Sequence, residues 1–146
     1  MKKTLIMGIA ILALLLQSFS VEKKHKLIVK VYDLQNSKGS VVVMIYNKEG
    51  SIPDKHMDNY YLKKIVPVAN KTAEVSFDDL PEGRYAVSIF HDENNNRKLD
   101  KGWMLPKEGV GLSKFKKVNL FHKPNFKKAS FVLKKDTIIN INTIYF

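Results

Sequence analysis

Apolar and polar side chains alternate along most of the chain beyond residue 25, and this alternation predicts β-strands. In segment 26–33, Leu27, Val29 and Val31 alternate with more polar positions. A period of two places these three side chains on one face of a strand. Alternation, or in 41–46 a fully apolar run, predicts seven strands in all, at 26–33, 41–46, 62–68, 72–77, 84–91, 129–134 and 137–144. Seven short strands separated by turn residues favour an all-β sandwich and exclude the strand and helix alternation of a parallel α/β fold.

The segments between the predicted strands differ in length and character. Residues 36–39 (Asn-Ser-Lys-Gly) form a turn, so the first two strands are predicted to make a hairpin. Residues 51–61 lack alternation and predict a loop or a short helical turn. Residues 101–128 carry several glycines and prolines and predict a long irregular excursion. Loops of that length in a compact domain are often functional, so we expect function to reside there.

The N-terminal segment has the three-part order of a secretory signal peptide. Lys2 and Lys3 precede an apolar run at 5–16, and Ser18 and Ser20 follow it. A retained membrane anchor is the alternative, but a run of about twelve apolar residues is shorter than the roughly twenty that span a bilayer. We therefore expect residues 1–20 to be removed. Residues 21–146 then form a single exported domain without an integral membrane span, in the periplasm, on the outer-membrane surface or outside the cell.

The composition limits how the domain is stabilised and what it binds. The chain has no cysteine, so a hydrophobic core and not disulfides must stabilise it. Loss of the two N-terminal lysines lowers the net charge of +11 to +9. This charge fits either an acidic partner or a solvated, lysine-rich surface. Only Arg84 and Arg97 are arginine, and nucleic-acid recognition prefers the guanidinium group, so no nucleic-acid partner is expected.

The common catalytic patterns are absent from the sequence. There is no cysteine nucleophile, no GxSxG elbow, no HExxH and no glycine-rich nucleotide loop. The four histidines, His25, His56, His91 and His122, lack the spacing of metal ligands and are expected to be surface or hydrogen-bonding residues. The protein is therefore not expected to be an enzyme.

One segment carries oxygen-bearing side chains at the spacing of a calcium loop. Asp92, Asn94, Asn96 and Asp100 occupy positions 1, 3, 5 and 9 of an EF-hand-like loop, and Lys98 supplies a backbone carbonyl at position 7. A tight loop around a cation directs alternate residues inward, and calcium takes oxygen ligands. Calcium is therefore the candidate cofactor, with these five residues as its ligands.

Two positions of the loop depart from a strong calcium site. Arg97 stands at position 6, where glycine permits the sharp turn, and Trp103 stands at position 12, where a glutamate completes the shell. The site would be weak unless Glu93 or Glu108 folds in. A polar turn without metal is the alternative, because asparagine tolerates the left-handed conformations that turns require.

The residues from Phe77 to Ser113 carry a family resemblance. The run FDDLPEGRYAVSIFHDENNNRKLDKGWMLPKEGVGLS, followed by KPNFKKASF and a final INTIYF, resembles the bacterial family called domain of unknown function 2141. The resemblance implies an exported protein with an immunoglobulin-like or transthyretin-like sandwich and no established activity. Family members often carry glycine where this chain has Arg97, which weakens the expectation of metal binding. The motif would then serve turn geometry, with His91 hydrogen-bonding the loop.

A proline and glycine turn precedes the predicted strand 84–91. Pro81 fixes the first turn dihedral, and Gly83 is expected to adopt a positive φ. The ring of Tyr85 is expected to pack while its hydroxyl finds a backbone partner. This arrangement predicts a structural corner and not a catalytic group.

Two classes of function remain open. The first is a non-enzymatic module of the cell envelope with a binding or assembly role, whose partner is an envelope protein or a glycan. The second is a small-molecule or carbohydrate binder that uses aromatic residues such as Trp103, Phe115 and Phe121. An exposed Trp103 would favour the second class, since indole stacks on sugars, but a lone tryptophan is more often buried, and burial is what the sequence favours.

Overall fold

A computed structural model describes residues 22–103, 105–116 and 124–146. Its elements in chain order are β1 (Lys24–Tyr32), β2 (Ser40–Tyr46), β3 (Leu62–Pro67), β4 (Ala73–Pro81), β5 (Gly83–Asp92), β6 (Val110–Leu112), α1 (Phe126–Ala129), β7 (Phe131–Leu133) and β8 (Thr137–Asn142). Over these ranges the domain is all-β, as predicted, with eight strands instead of seven. The predicted signal peptide at 1–20 lies outside the described residues, as do Phe121 and His122. Within the described ranges, no helix is long and apolar enough to cross a membrane.

The strands form two sheets. In the three-stranded sheet, β1 lies between β4, to which it is antiparallel, and β8, to which it is parallel. The larger sheet has the order β3-β2-β5-β6, and β7 pairs with the beginning of β5. Side chains from both sheets meet in one hydrophobic core, which includes Leu27, Val29 and Val31 of β1. The predicted alternation of β1 and the predicted sandwich are therefore confirmed.

The predicted hairpin between the first two strands is wrong. β1 belongs to the three-stranded sheet, whereas β2 lies between β3 and β5 in the larger sheet. The pattern of burial explains the difference: every residue of β2 is buried, while β1 alternates between buried and more exposed positions. A strand that is apolar on both faces needs cover on both faces. Residues 33–39 therefore cross between the sheets and do not reverse within one.

A second hydrophobic cluster covers the outer face of the larger sheet. It is built on Val42, Met44 and Phe90 of β2 and β5, and Phe126 and Ala129 of α1 pack onto it. Ile52, Met57, Leu99 and Phe115 of the loops also contribute, as does Val110 of β6. Both faces of the larger sheet are thus covered, one by the other sheet and one by loops.

Residues 51–61 form one of these covering loops, without a helical turn. Asp54 holds the loop together, because its Oδ2 accepts hydrogen bonds from the Asn59 backbone amide at 3.0 Å and from the Tyr46 hydroxyl at 3.2 Å. Burial acts to raise the pKa of the Asp54 carboxyl, but the amides of Asn59 and Asp58 and the Tyr46 hydroxyl outweigh it, so the pKa is lowered. The carboxylate therefore stays ionised while it fixes the loop.

The excursion at 101–128 contains two elements that the sequence did not predict. β6 pairs with β5, and Gly111 leaves room for β8, because a Cβ there would lie 2.6 Å from Ile141 Cγ2. Asn125 is the N-cap of the single turn of α1, and its side chain accepts a hydrogen bond from the Lys128 amide at 2.9 Å. Three or four residues are too few to show a periodic pattern, so the sequence predicts neither element.

The corner between β4 and β5 joins the two sheets. The Tyr85 hydroxyl donates to the Pro81 carbonyl oxygen at 2.9 Å, as predicted. The positive φ predicted at Gly83 is wrong. The left-handed residue is instead Asp79, with φ of 59°, which lies before the proline. Aspartate tolerates this conformation better than most residues because its short side chain forms local hydrogen bonds.

Candidate functional site

The loop with calcium-like spacing follows directly from the end of β5. The last two residues of that strand, His91 and Asp92, are both fully buried. The chain then leaves the sheet and returns at β6, so residues 93–109 form a loop at one end of the sandwich. Because the strand end is fixed by the core, the loop begins from a rigid support.

Asp92 closes the first half of the loop through its carboxylate. Its Oδ1 accepts a hydrogen bond from the Asn96 backbone amide at 3.0 Å, and its Oδ2 accepts one from the Arg97 amide at 2.7 Å. Hydrogen bonds to an ionised acceptor are stronger than neutral ones. A buried carboxylate that accepts two amides in this way holds the backbone of the turn, whether or not an ion is bound.

The other predicted ligands are hydrogen-bonded to one another. Both oxygens of the Asp100 carboxylate accept from side-chain amides, one from Asn94 Nδ2 at 2.8 Å and one from Asn96 Nδ2 at 3.1 Å. Asn94 Oδ1 accepts from the Asn96 backbone amide at 3.0 Å, and Asn96 Oδ1 accepts from the Lys98 amide at 2.7 Å. The structure therefore brings Asp92, Asn94, Asn96 and Asp100 together, and Lys98 joins them through its backbone amide.

The backbone of the loop is left-handed at two positions. Asn95 has φ of 59° and Arg97 has φ of 62°. Asparagine adopts this conformation readily, but for arginine it costs roughly 1–2 kcal/mol. Arg97 stands at position 6, where a calcium loop carries glycine for its turn. The chain thus adopts the left-handed conformation at position 6 with arginine, although glycine would adopt it at lower cost.

Glu108 folds in beneath the loop, whereas Glu93 does not. Glu108 is 5% exposed, and its carboxylate accepts from the Glu93 amide at 3.2 Å and from the Asp100 amide at 3.0 Å. Burial raises the pKa of this carboxyl; the two amides oppose the rise, and the carboxylates of Asp100 and Asp92 add to it. The Glu93 side chain turns away and accepts from the side-chain amides of Gln35 and Asn36.

His91 supports the loop from below. Its Nε2 lies 2.8 Å from the Lys38 carbonyl oxygen, which can only accept, so Nε2 carries the proton. Its Nδ1 then accepts from the Tyr145 hydroxyl at 2.7 Å. The expected bond to the loop therefore does not come from the His91 side chain, which ties the end of β5 to the turn at 36–39 and to the C-terminal segment. The His91 backbone amide does bond the loop, because it donates to the Gly109 carbonyl oxygen at 2.8 Å.

Trp103 lies at the tip of the loop and is 97% exposed, so its expected burial is wrong. A tight turn explains the exposure. Lys101 forms a β-bridge with Pro106, and the Gly102 amide donates to the Leu105 carbonyl oxygen at 2.7 Å. This turn projects Trp103 away from the body of the domain.

The chemistry of the loop follows from these bonds. In the ranges that the structure describes, no group of three or more histidine, aspartate or glutamate side chains is placed to hold a metal ion. Asp92 and Asp100 are the two carboxylates of the predicted ligand set, and their oxygens already accept hydrogen bonds from the loop. A cation would compete with the Asn94 and Asn96 amide groups for the Asp100 oxygens.

Two packed sheets with a hydrogen-bonded loop at one end define an all-β sandwich protein. The chain belongs to the family described as "Uncharacterized protein conserved in bacteria (DUF2141)", whose family model matches residues 29–140. The match begins within β1, ends within β8 and includes the whole loop. No curated protein and no solved structure matches the chain. The family resemblance is thus confirmed, while the finer immunoglobulin-like or transthyretin-like assignment stays a prediction.

Proposed function

We propose that the protein is an exported, non-enzymatic binding module of the cell envelope that presents the loop at 92–108 to its partner. One observation carries the proposal: buried Asp92 and Glu108 hold the loop from within, while Trp103 at its tip is 97% exposed. A loop that is ordered before binding loses less conformational entropy on binding. Tryptophan is also enriched among the residues that dominate binding energy at interfaces.

Export and the lack of catalysis rest on different observations. The lysine pair, short apolar run and small residues at 1–20 support export. The polar groups of the loop support a non-enzymatic role, because Asp92, Glu108 and His91 bind groups within the domain and not a free surface. The partner of such a module is an envelope protein or a glycan.

Calcium is the proposed ion of the loop, bound weakly through Asp92, Asn94, Asn96, Asp100 and the Lys98 carbonyl. The spacing of oxygen atoms and the left-handed turn at position 6 support this proposal. The amide groups that already occupy the Asp100 oxygens compete with the ion. The affinity therefore falls in the roughly 0.1–1 mM range of extracellular calcium modules.

Carbohydrate binding is the second candidate function, and the exposure of Trp103 favours it. The indole face is large and apolar, and it is available for stacking at the tip of the turn. Under this alternative the partner is a glycan of the envelope, and the same loop supplies the platform.

The tip of the loop provides the test of both candidates. A photo-crosslinking aromatic residue placed at Trp103 in cells should give a discrete adduct with an envelope protein, whereas the same residue at Phe146, which is 50% exposed, should give none. Glycan-array binding that Trp103→Ala removes and Phe146→Ala retains would support the second candidate. If position 103 yields neither an adduct nor Trp103-dependent glycan binding, the tip is not a binding surface.

A further inference from the structure

A cleft of about 410 Å³ opens on the outer face of the larger sheet, between the loop at 51–61 and the loop that follows β5. Its floor consists of Val42, Met44 and Phe90. Met57 and Leu99, both half-buried, form apolar parts of its two walls. A concave site with an apolar base and a volume in this range is typical of small-molecule sites.

The rim of the cleft is strongly cationic. It is formed by Lys55, His56, Lys63, Arg97, Lys98 and Lys101. In the described part of the chain, no carboxylate lines the cleft, and the salt bridges involve other residues. Like charges gathered around a concave, poorly polarisable surface focus a positive potential into it. The cleft therefore attracts an anionic group.

The contacts of two rim lysines help to define the shape of the cleft. Lys101 Nζ donates to the Lys55 carbonyl oxygen at 3.2 Å, which joins the two loops across the opening. Lys63 Nζ lies 4.8 Å from the centre of the Tyr60 ring. Neither partner carries a negative charge, so both ammonium groups still contribute positive charge to the rim.

Both walls of the cleft hold a large side chain on a left-handed backbone. Met57 has φ of 57° and Arg97 has φ of 62°. Neither residue type favours this conformation, and such positions are often retained at binding sites, where the surrounding structure compensates their cost. Met57 places an apolar side chain in one wall, and Arg97 places a guanidinium group in the other. The cleft thus combines an apolar surface with positive charge.

We propose that this cleft binds a small anionic amphiphile, in which one carboxylate or phosphate group meets the cationic rim and a short apolar body lies against the floor and walls. Arg97 is the main anion contact, because its planar guanidinium can bind two oxygens of either group at once. The inference rests on the proposed binding role and deepens the small-molecule alternative. It places the ligand away from Trp103, which does not line the cleft.

Calorimetric titration of the full mature chain at low salt tests the proposal. Octyl phosphate and octanoate are the two probes, which distinguish a phosphate from a carboxylate head. At least one is expected to bind at least about tenfold more tightly than octanol or inorganic phosphate, since each of these offers half of the required chemistry. The affinity should fall as salt is added. If octanol binds as well as both probes do, the cationic rim has no role and the proposal is overturned.

Two glycine substitutions in the same loop separate binding from folding. Arg97→Gly removes the guanidinium and relieves a left-handed arginine, so the melting temperature should stay equal or rise while the affinity falls about tenfold. Asn95→Gly is the matched control, because Asn95 has a similar φ but does not line this cleft. Its affinity should equal that of the wild type. Equal affinities for the wild type and both variants would contradict the assignment.

Three further substitutions locate the ligand. Lys63→Gln should weaken binding, whereas Lys135→Gln makes the same charge change outside the cleft and should not. Trp103→Ala should leave amphiphile binding unchanged. If Trp103→Ala abolishes it instead, the ligand sits at the tip and the cleft proposal falls while the proposed function stands. If neither probe binds, the cleft proposal fails, and crosslinking at position 103 still decides the proposed function separately.

Discussion

Replacing Gly39 with alanine is expected to lower the free energy of unfolding by about 3 kcal/mol, measured by urea denaturation. Gly39 has φ of 66°, which is unfavourable for alanine. A Cβ at this position would also overlap the Asp92 carbonyl oxygen and lie 2.7 Å from the Glu93 Cα. Both are backbone atoms at the start of the loop that follows β5, which we call the site loop. The clash therefore cannot be relieved by moving a side chain.

Gly50→Ala is the matched control for this prediction. Gly50 also has a positive φ, of 79°, but a Cβ there would meet nothing within 4 Å. This variant should therefore lose only the conformational cost, about 1 kcal/mol. Equal losses in the two variants would show that the 36–39 turn does not press against the site loop.

Asp92→Ala is expected to destabilise the domain by about 3 kcal/mol even in the presence of a chelator. The substitution removes the acceptor of the Arg97 amide and one of two acceptors of the Asn96 amide, which keeps Asn94 Oδ1, and it removes a carboxylate from a fully buried position. Asp100→Ala provides the comparison. Its carboxylate accepts mainly from the exposed side chains of Asn94 and Asn96, so it should cost less than about 1 kcal/mol.

The contrast between the two aspartates distinguishes a structural acceptor from a ligand. The sequence alone treats Asp92 and Asp100 as equivalent, and from it both substitutions would leave stability in chelator almost unchanged. Thermal and urea unfolding in chelator measure the difference directly. A loss below about 1 kcal/mol for Asp92→Ala would mean that the buried carboxylate does not hold the turn.

Every described strand except β6 was predictable, because the side chains of these strands alternate or form short apolar runs. The pairing of β2 was not, since a hydrophobic run reveals that both faces are buried but not which strands lie beside it. The exposure of Trp103 also escaped prediction. It depends on a turn closed by Lys101, Gly102 and Leu105. The backbone hydrogen bonds of such a turn cannot be inferred from hydrophobic periodicity.

The candidate site was predictable only in part. Its spacing predicts a loop in which Asp92 and Asp100 share partners, and Asn96 joins them, because its backbone amide donates to Asp92 and its side-chain amide donates to Asp100. The anchors at Lys38 and Tyr145 lie about fifty residues from His91, and nothing in a single sequence links residues so far apart. The sequence allows either Glu93 or Glu108 to fold in, and only the fold decides that Glu108 does so.

The cationic cleft shows a different limit of sequence reasoning. Lys55, Lys63 and Arg97 come from three separate segments, and the sequence of each segment predicts only a solvated, basic surface. The net charge of the chain does not show how its charged side chains are distributed over the surface. Only the meeting of the 51–61 loop, β3 and the site loop gathers the charge around one opening.

Calcium titration followed by thermal melting tests most directly the central claim that the 92–100 loop is a site and not only a turn. At 10 mM calcium, roughly 10 to 100 times the proposed dissociation constant, the folded state should gain about 1.4–2.7 kcal/mol over chelator. The melting temperature should then rise by about 4–10 °C. Asp100→Asn should remove most of this rise, and 10 mM magnesium should not reproduce it. A wild-type melting temperature that is the same in chelator and in calcium would contradict the claim and leave the loop a polar turn.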